Sequence, residues 1–308
     1  MPKDLLTGSE GLVGSAIKRH SSKERDLVCV TKKQVDLTDF SATVKMMEDL
    51  RPERVFHAAA AVGGLGGNMR HPGELFRKNI LINFNVLEAA RVTGVKRVLS
   101  YLSTCIFPDK VEYPMKETSL HEGPPHPSNF GYAHAKRMID IQSRAYRMEY
   151  GCDFITAVGT NLFGLNDNFN LLDGHALPSL IHKTYLAKRD GKDLTVWGSG
   201  KPLREFVFAD DIARLSLWAM DEYHEETPLM FSHGEETSIR ELVELIAKKM
   251  NFQGKIIFDD SKADGQYRKP SDVSKLKKFQ PDFKFTSLEK AIEQTTKWFT
   301  ASYPNIRM

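Results

Sequence analysis

At 308 residues the chain is long for one compact core, so it reads as one large domain or two closely joined ones. Its 41% hydrophobic and 27% charged residues are ordinary for a globular protein, and a net charge of +3 gives no argument for a nucleic-acid or membrane partner. Cys29, Cys105 and Cys152 form no disulfide framework or CxxC pair, no His/Cys/Asp set has metal-ligand spacing, and no apolar run reaches a membrane-spanning length, so a metal-free cytoplasmic protein is expected.

Short β-type runs alternate with amphipathic helical stretches through the first half. DLLTG leads into GLVGSAIKRH, DLVCV into FSATVKMMEDL, and ERVFHAAA into ELFRKNILINFNVLEAARVTG, with KRVLSYL following. That alternation predicts βαβ units on a parallel sheet. Asp4 is out of place in an apolar first strand. TGSEGLVG then sets Gly8, Gly11 and Gly14 after that strand and at a helix start, where free N–H groups favour the phosphates of a dinucleotide. A plain strand-to-helix turn would read the same. The candidate cradle also includes Ser9, Glu10, Leu12 and Val13; the Glu10 carboxylate is repulsive there unless it turns outward.

Beyond the second strand, Lys32 and Lys33 stand where a 2′-phosphate would arrive, which selects NADP over NAD unless they only form a solvated turn. Asp36 and Leu37 are placed to contact the adenine. Ala58, Ala59 and Ala60 let the chain pass close to a cofactor, or simply pack a helix on the sheet. A helix is predicted from about Glu74 to Val92, stopped by Gly94, and another from Tyr132 to Tyr150, stopped by Gly151.

Between these helices a strand ends in Ser103-Thr104-Cys105. Tyr132 and Lys136 lie one helical turn apart on one face, so the ammonium is expected to favour the tyrosinate. Ser103 would donate to a substrate carbonyl oxygen from across the cleft. Cys105 points the same way if the segment stays extended, and beside a protonated histidine it would ionise near neutral pH; the alternative is a buried apolar cysteine.

After DFITAV the chain loosens into an Asn/Asp/Gly-rich loop ending at His175, a position that also suits a plain helix start. Helices over Leu177–Ala187 and Asp210–Met220 flank TVWGSGKPLREFVF, and the last seventy residues mix two helices with the strand GKIIFDD. Arg204 and the Arg268-Lys269 pair suit a diphosphate, and Trp197 offers a flat face to a base or sugar. A surface cluster and a core plug are the alternatives. The expected division is a dinucleotide-binding domain over 1–160, rejoined by 205–225, and a substrate lobe over 161–204 and 226–308.

TGSEGLVG, STCIFP, YAHAK, TNLFG, DNF, DGHALP, VWGSGKPLREF and DGQYRK together resemble the extended short-chain dehydrogenase/reductases over nearly the whole chain, in particular those acting on GDP-sugars. The resemblance implies an α/β fold, with a Rossmann-type doubly wound parallel sheet and a smaller C-terminal α/β substrate lobe. It also implies NADP(H), a GDP-sugar substrate and a homodimer built on the two long helices. By it, Ser103, Tyr132 and Lys136 form the reductase triad, and Cys105 and His175 the epimerisation acid/base pair. Gly159, Thr160, Asn161 and Leu162, with His175, fall beside the cofactor. Lys183, Trp197, Arg204, Asp264 and Lys269, with Asn161, fall where the GDP-sugar binds. Gly159 replaces a usual proline, so a looser segment is expected. The implied reaction is 3,5-epimerisation and NADPH-dependent 4-keto reduction of GDP-4-keto-6-deoxy-D-mannose to GDP-L-fucose. A related epimerase or dehydratase would return its hydride to the cofactor, and a non-catalytic NADP sensor would turn over no keto sugar.

Overall fold

In a computed structural model that describes residues 2–262, 264 and 266–308, the alternating pattern becomes a six-stranded parallel sheet. β1 (Lys3–Thr7) feeds α1 (Leu12–His20), β2 (Asp26–Val30) feeds α2 (Phe40–Leu50), and β3 (Arg54–His57) leads through α3 (Gly64–Arg70) into α4 (Pro72–Val92). β4 (Arg97–Ser103) precedes α5 (Phe130–Tyr150), which returns to β5 (Asp153–Gly159). Then come β6 (Asn161–Phe163), α6 (Ala176–Asp190), β7 (Leu194–Trp197), β8 (Leu203–Arg204), β9 (Phe206–Phe208), α7 (Ala209–Glu222) and β10 (Leu229–Phe231). β11 (Thr237–Ser238), α8 (Ile239–Lys249), β12 (Ile256–Asp259), α9 (Ser274–Phe279) and α10 (Leu288–Ser302) follow. The helix ends obey local chemistry: Asp39 accepts the Ala42 N–H at 3.0 Å to start α2, and Gly151, at φ 68°, ends α5.

The sheet runs β2-β1-β3-β4-β5-β10. Chain direction across it reverses between β1 and β3, and ligands of such sheets bind beyond the carboxyl ends of the strands at that point. Helices cover both faces. Val86 and Leu87 of α4 and Ile139 of α5 bury one face, while Ile17 of α1 and Ile212 of α7 bury the other. A third cluster joins Ile181 of α6, Leu242 of α8 and Ile292 of α10 to Val196 of β7, forming the smaller lobe around the parallel pair β7 and β12. One boundary differs from expectation. β10 adds beside β5, and Leu276 of α9 packs into the second cluster, so both leave the lobe expected at 226–308 and join the sheet layer. Among the described residues no helix is long and apolar enough to cross a membrane.

The misplaced acid in β1 has a physical explanation. Asp4 is fully buried, accepting from Arg54 Nε at 2.6 Å and Nη2 at 2.9 Å, and from Arg25 Nη1 at 2.6 Å. Both guanidiniums continue to Asp221 of α7, at 2.5 and 2.7 Å. One carboxylate thus ties β1, β3, the lead into β2 and α7 at the end of the sheet remote from the glycine turn. Removing one partner of such a network strands the others. Asp4→Ala is expected to lower stability by about 3 kcal/mol in urea unfolding; an unchanged midpoint would take the network out of the stability account.

Candidate active site

The three glycines after β1 have different work. A Cβ on Gly8, whose φ is +70°, would stand 2.7 Å from the Ala59 backbone, and one on Gly14 would lie 2.2 Å from the Gly8 carbonyl oxygen. The protein's own chain therefore demands glycine at both. Gly11 meets only the Gly8 oxygen at 3.3 Å and Arg307 Nη1 at 3.9 Å, so its outer side is free for close approach of a ligand. Ser9 turns inward, its hydroxyl donating to the Val30 carbonyl at 3.2 Å, and Leu12 and Val13 pack on the second cluster. The Ser9 N–H goes to the same carbonyl at 3.5 Å, so what remains for an anion is the main-chain N–H of Leu12 and Val13 at the start of α1. Glu10 is exposed, the outward orientation its carboxylate requires beside a phosphate.

The loop after β3 is fixed by two asparagines of α4 that sequence reading missed. Asn79 accepts from the Ala61 N–H at 3.1 Å and donates back to the Ala61 carbonyl at 2.9 Å. One turn on, Asn83 donates to the Ala135 carbonyl at 3.5 Å, so its oxygen accepts from His57 Nε2–H at 3.1 Å. His57 Nδ1 then accepts the Thr7 hydroxyl at 3.0 Å, while Thr7 Oγ1 accepts from the Ala59 N–H at 3.4 Å. Burial, with the Lys136 charge, holds His57 down to about 3, so it is neutral. The available signal was the spacing of Asn79 and Asn83, four residues apart and so on one face of a largely apolar helical stretch.

Lys32 and Lys33 are exposed on the turn after β2. Asp36 folds into its own turn, accepting the Thr38 N–H at 3.0 Å and hydroxyl at 2.8 Å; those bonds hold its carboxyl low, with Lys32 and Arg77 adding to the effect. Arg77 of α4 is thus a third cation at this corner, invisible until the fold brings α4 alongside. The Leu37 side chain is buried in the first cluster, so what this residue offers an adenine is its main chain.

At the centre, Ser103 ends β4 opposite Gly159 of β5, and Gly159 also pairs with Phe231 of β10. The looseness expected at Gly159 is absent, because strands hold it on both sides. Residues Thr104–Ile106 form a 3₁₀ turn, so the extended alternation expected for Cys105 does not apply. The turn nevertheless half-buries the Cys105 thiol against the first cluster, near enough to Ser103 for that side chain to act on its ionisation. Tyr132 and Lys136 face the same centre from the first turns of α5.

Lys136 is buried, and its Nζ donates to the Tyr101 carbonyl at 2.9 Å. Burial pulls it down to about 8. Burial also pushes the Tyr132 phenol up, with Cys105 adding to it, so the expected tyrosinate is not favoured and Tyr132 keeps its proton. The Cys105 thiol is likewise raised by burial; Ser103, Lys269 and Lys136 pull the other way. His175 sits at the N-cap of α6 with its ring open to the cleft but protein around it; burial and then Arg307 disfavour the imidazolium. The protonated histidine expected beside the thiol is therefore replaced by lysine ammonium groups.

In the smaller lobe, Lys183 Nζ lies 4.9 Å from the Trp197 ring centroid, and Trp197 is 65% exposed, which excludes a core plug. Asp264 accepts the Ser199 N–H and hydroxyl, both at 2.7 Å, two residues on from Trp197. The expected Arg268-Lys269 pair divides: Arg268 pairs with Glu236 at the surface, and Lys269 turns inward toward Cys105 and Arg204. Burial disfavours the charge on both Lys269 and Arg204.

Glu205, also missed, fixes this arrangement. It is buried, and it accepts the Ser271 N–H and the hydroxyls of Ser271 and Ser232, each at 2.7 Å. Its carbonyl accepts from Asn161 Nδ2 at 2.9 Å. An acid directly before the apolar run Phe206-Val207-Phe208 was the only trace in the sequence. Thr160 Oγ1 is buried without a partner among the described residues.

Comparison with known proteins bears on the same chain length. The pattern of the NAD dependent epimerase/dehydratase family matches residues 5–232. The chain is 48% identical to a GDP-L-fucose synthase of Dictyostelium discoideum, over 98% of this chain and 97% of that one. It is 42% identical to a probable GDP-L-fucose synthase of Drosophila melanogaster over the full length of both. A crystal structure of a GDP-L-fucose synthetase from Naegleria fowleri bound to NADP superposes with a TM-score of 0.94 at 42% identity, covering 100% of this chain and 96% of that one.

The charges around Cys105 set a measurable expectation. Lys269 opposes burial, so Lys269→Met should push the thiol further up and move the pH profile of Cys105 alkylation to higher pH. An unmoved profile would show that Lys269 does not act on the thiol.

Proposed function

The chain belongs to the NAD dependent epimerase/dehydratase family, and we propose that it converts GDP-4-keto-6-deoxy-D-mannose to GDP-L-fucose with NADPH as reductant. The observation that carries this reading is a thiol, Cys105, set against Ser103, Tyr132 and Lys136, with the inward cation Lys269 beside it and Arg204 next to Lys269. A carbonyl reductase alone has no use for the thiol.

The glycine turn fits a dinucleotide pyrophosphate, with Gly11 leaving space and the start of α1 supplying free N–H groups. When bound, NADPH supplies the hydride that reduces C4. Everything else falls to the side chains. The 4-keto group acidifies the hydrogens on C3 and C5. Ser103 and Tyr132 donate to its oxygen and stabilise the negative charge there, in the enolate of each inversion and again during reduction. Because Tyr132 retains its proton, it gives that proton to the same oxygen as C4 is reduced. At rest the Cys105/His175 pair carries one proton, on the thiol, with the imidazole neutral. A couple that takes a proton on one face of the sugar and returns one on the other needs that state. Lys183 with Trp197, Arg204 and Lys269 receive the GDP moiety, cations to its diphosphate and the indole to a flat ring.

The three unpaired thiols fit a reducing cytoplasm. For assembly we propose a homodimer through α4 and α5. Phe76 and Phe84 on α4, and Met138, Ile141 and Met148 on α5, leave an exposed apolar stripe across the helix pair. A second copy of the same stripe is its simplest cover.

Two experiments check these readings. Cys105→Ala should stop inversion at C3 and C5 while Tyr132-dependent hydride transfer still yields an unepimerised 6-deoxy sugar; GDP-L-fucose made at the parent rate would sink the assignment. Light scattering at micromolar concentration should give a dimer burying more than about 1,200 Å², and Phe84→Glu with Ile141→Glu should give a monomer. A monomeric parent would reject the proposed interface.

A further inference from the structure

The end of the chain returns across the smaller lobe to the glycine turn. Ile306 packs on the third cluster, and the Phe169 N–H donates to the Arg307 carbonyl at 2.9 Å. Those contacts anchor the Arg307 backbone, and its guanidinium reaches the cofactor cradle. Nη1 lies 3.9 Å from the position a Cβ on Gly11 would take. Gly11 is the N-cap of α1, so the cation stands over the turn whose N–H groups face a phosphate.

Two side chains elsewhere in the cleft feel this charge. Burial keeps His175 neutral and this charge adds to it; burial pushes Asp167 up to about 7, against the Asn168 N–H and this charge. Asp167 is 3% exposed; one oxygen accepts the Asn168 N–H at 2.7 Å, and Oδ2 has no partner among the described residues. The guanidinium itself makes no ion pair or hydrogen bond among the described residues, so its donors are uncommitted. It also stands over the turn from which the Glu10 carboxylate extends into solvent.

A tethered cation with free donors above a glycine cradle is built for an anion, and the fork of guanidinium donors matches phosphate oxygens. We infer that Arg307 is a ligand of the dinucleotide's pyrophosphate, a contact from the substrate lobe that straddles the cofactor. The inference rests on the NADP reading above. It separates Arg307 from Lys32, Lys33 and Arg77, which face the 2′-phosphate corner, and from Arg204 and Lys269, which face the sugar nucleotide.

Binding measured by isothermal titration, without turnover, tests it. Arg307→Ala should weaken NADPH by roughly tenfold, the scale of a charge-assisted phosphate contact, and Arg307→Lys should recover part of the loss. Adenosine 2′,5′-bisphosphate keeps the 2′-phosphate and lacks the pyrophosphate, so its affinity should not change; nor should that of GDP. An unchanged NADPH affinity in Arg307→Ala would overturn the assignment. So would an equal loss for adenosine 2′,5′-bisphosphate or GDP, which would make Arg307 a structural tether. If the parent protein binds GDP but neither adenine nucleotide, the cofactor reading itself fails and this inference with it.

Discussion

Glu205 is buried with no counter-ion among the described residues, and three hydrogen bonds hold its carboxylate instead. Burying an ionised carboxylate costs several kcal/mol unless its lone pairs are satisfied, so the segments that satisfy it have little freedom to move. Ser232 follows β10 in the main sheet and Ser271 follows the strip that carries Lys269, while Asn161, which begins β6, holds the Glu205 main-chain carbonyl. Arg204, next to Glu205 in sequence, is carried along. The inward pair of cations, the cofactor-side loop and the sheet edge are therefore set by one group that touches no ligand.

The same cleft concentrates charges that the fold does not solvate fully. Lys136, Lys269, Arg204 and Lys183 are all shifted toward neutrality by burial. Tyr132 and Cys105 are shifted by burial in the direction that keeps their protons. Cations short of water and acids reluctant to ionise both gain when an anionic diphosphate and a developing enolate enter. The desolvation is carried by the folded state in advance, and the networks at Asp4 and Glu205 help to bear it.

What the sequence made legible follows from local rules. The parallel sheet came from alternating periods, the glycine turn from its context, and Ser103, Tyr132 and Lys136 from a strand end and a helical spacing. Where reading from sequence failed, the cause was distant chain. Asp4 looked out of place because its partners, Arg25 and Arg54, and the Asp221 they share with it are far apart in sequence. Arg268 and Lys269 read as a pair, and a surface partner, Glu236, separates them. Cys105 was placed by an extended-strand argument that its 3₁₀ turn invalidates, although the turn delivers the thiol to the same centre. Asn79, Asn83 and Glu205 hide among apolar neighbours because burial needs a hydrogen-bond partner and spacing does not show one.

The chain of hydrogen bonds from Ala59 through Thr7, His57 and Asn83 to Ala135 runs in a single direction. Its direction is fixed at both ends, because the Ala59 N–H can only donate and the Ala135 carbonyl can only accept, and a second proton is disfavoured on a ring held down to about 3. At every pH well above that value, this link between the loop after β3 and α5 is electrically silent. An inflection seen near pH 6 to 7 in rate or binding therefore has to be sought among other groups, and nuclear magnetic resonance of the His57 ring should report one fixed tautomer, a built-in reference against which the titrating residues of the cleft can be read.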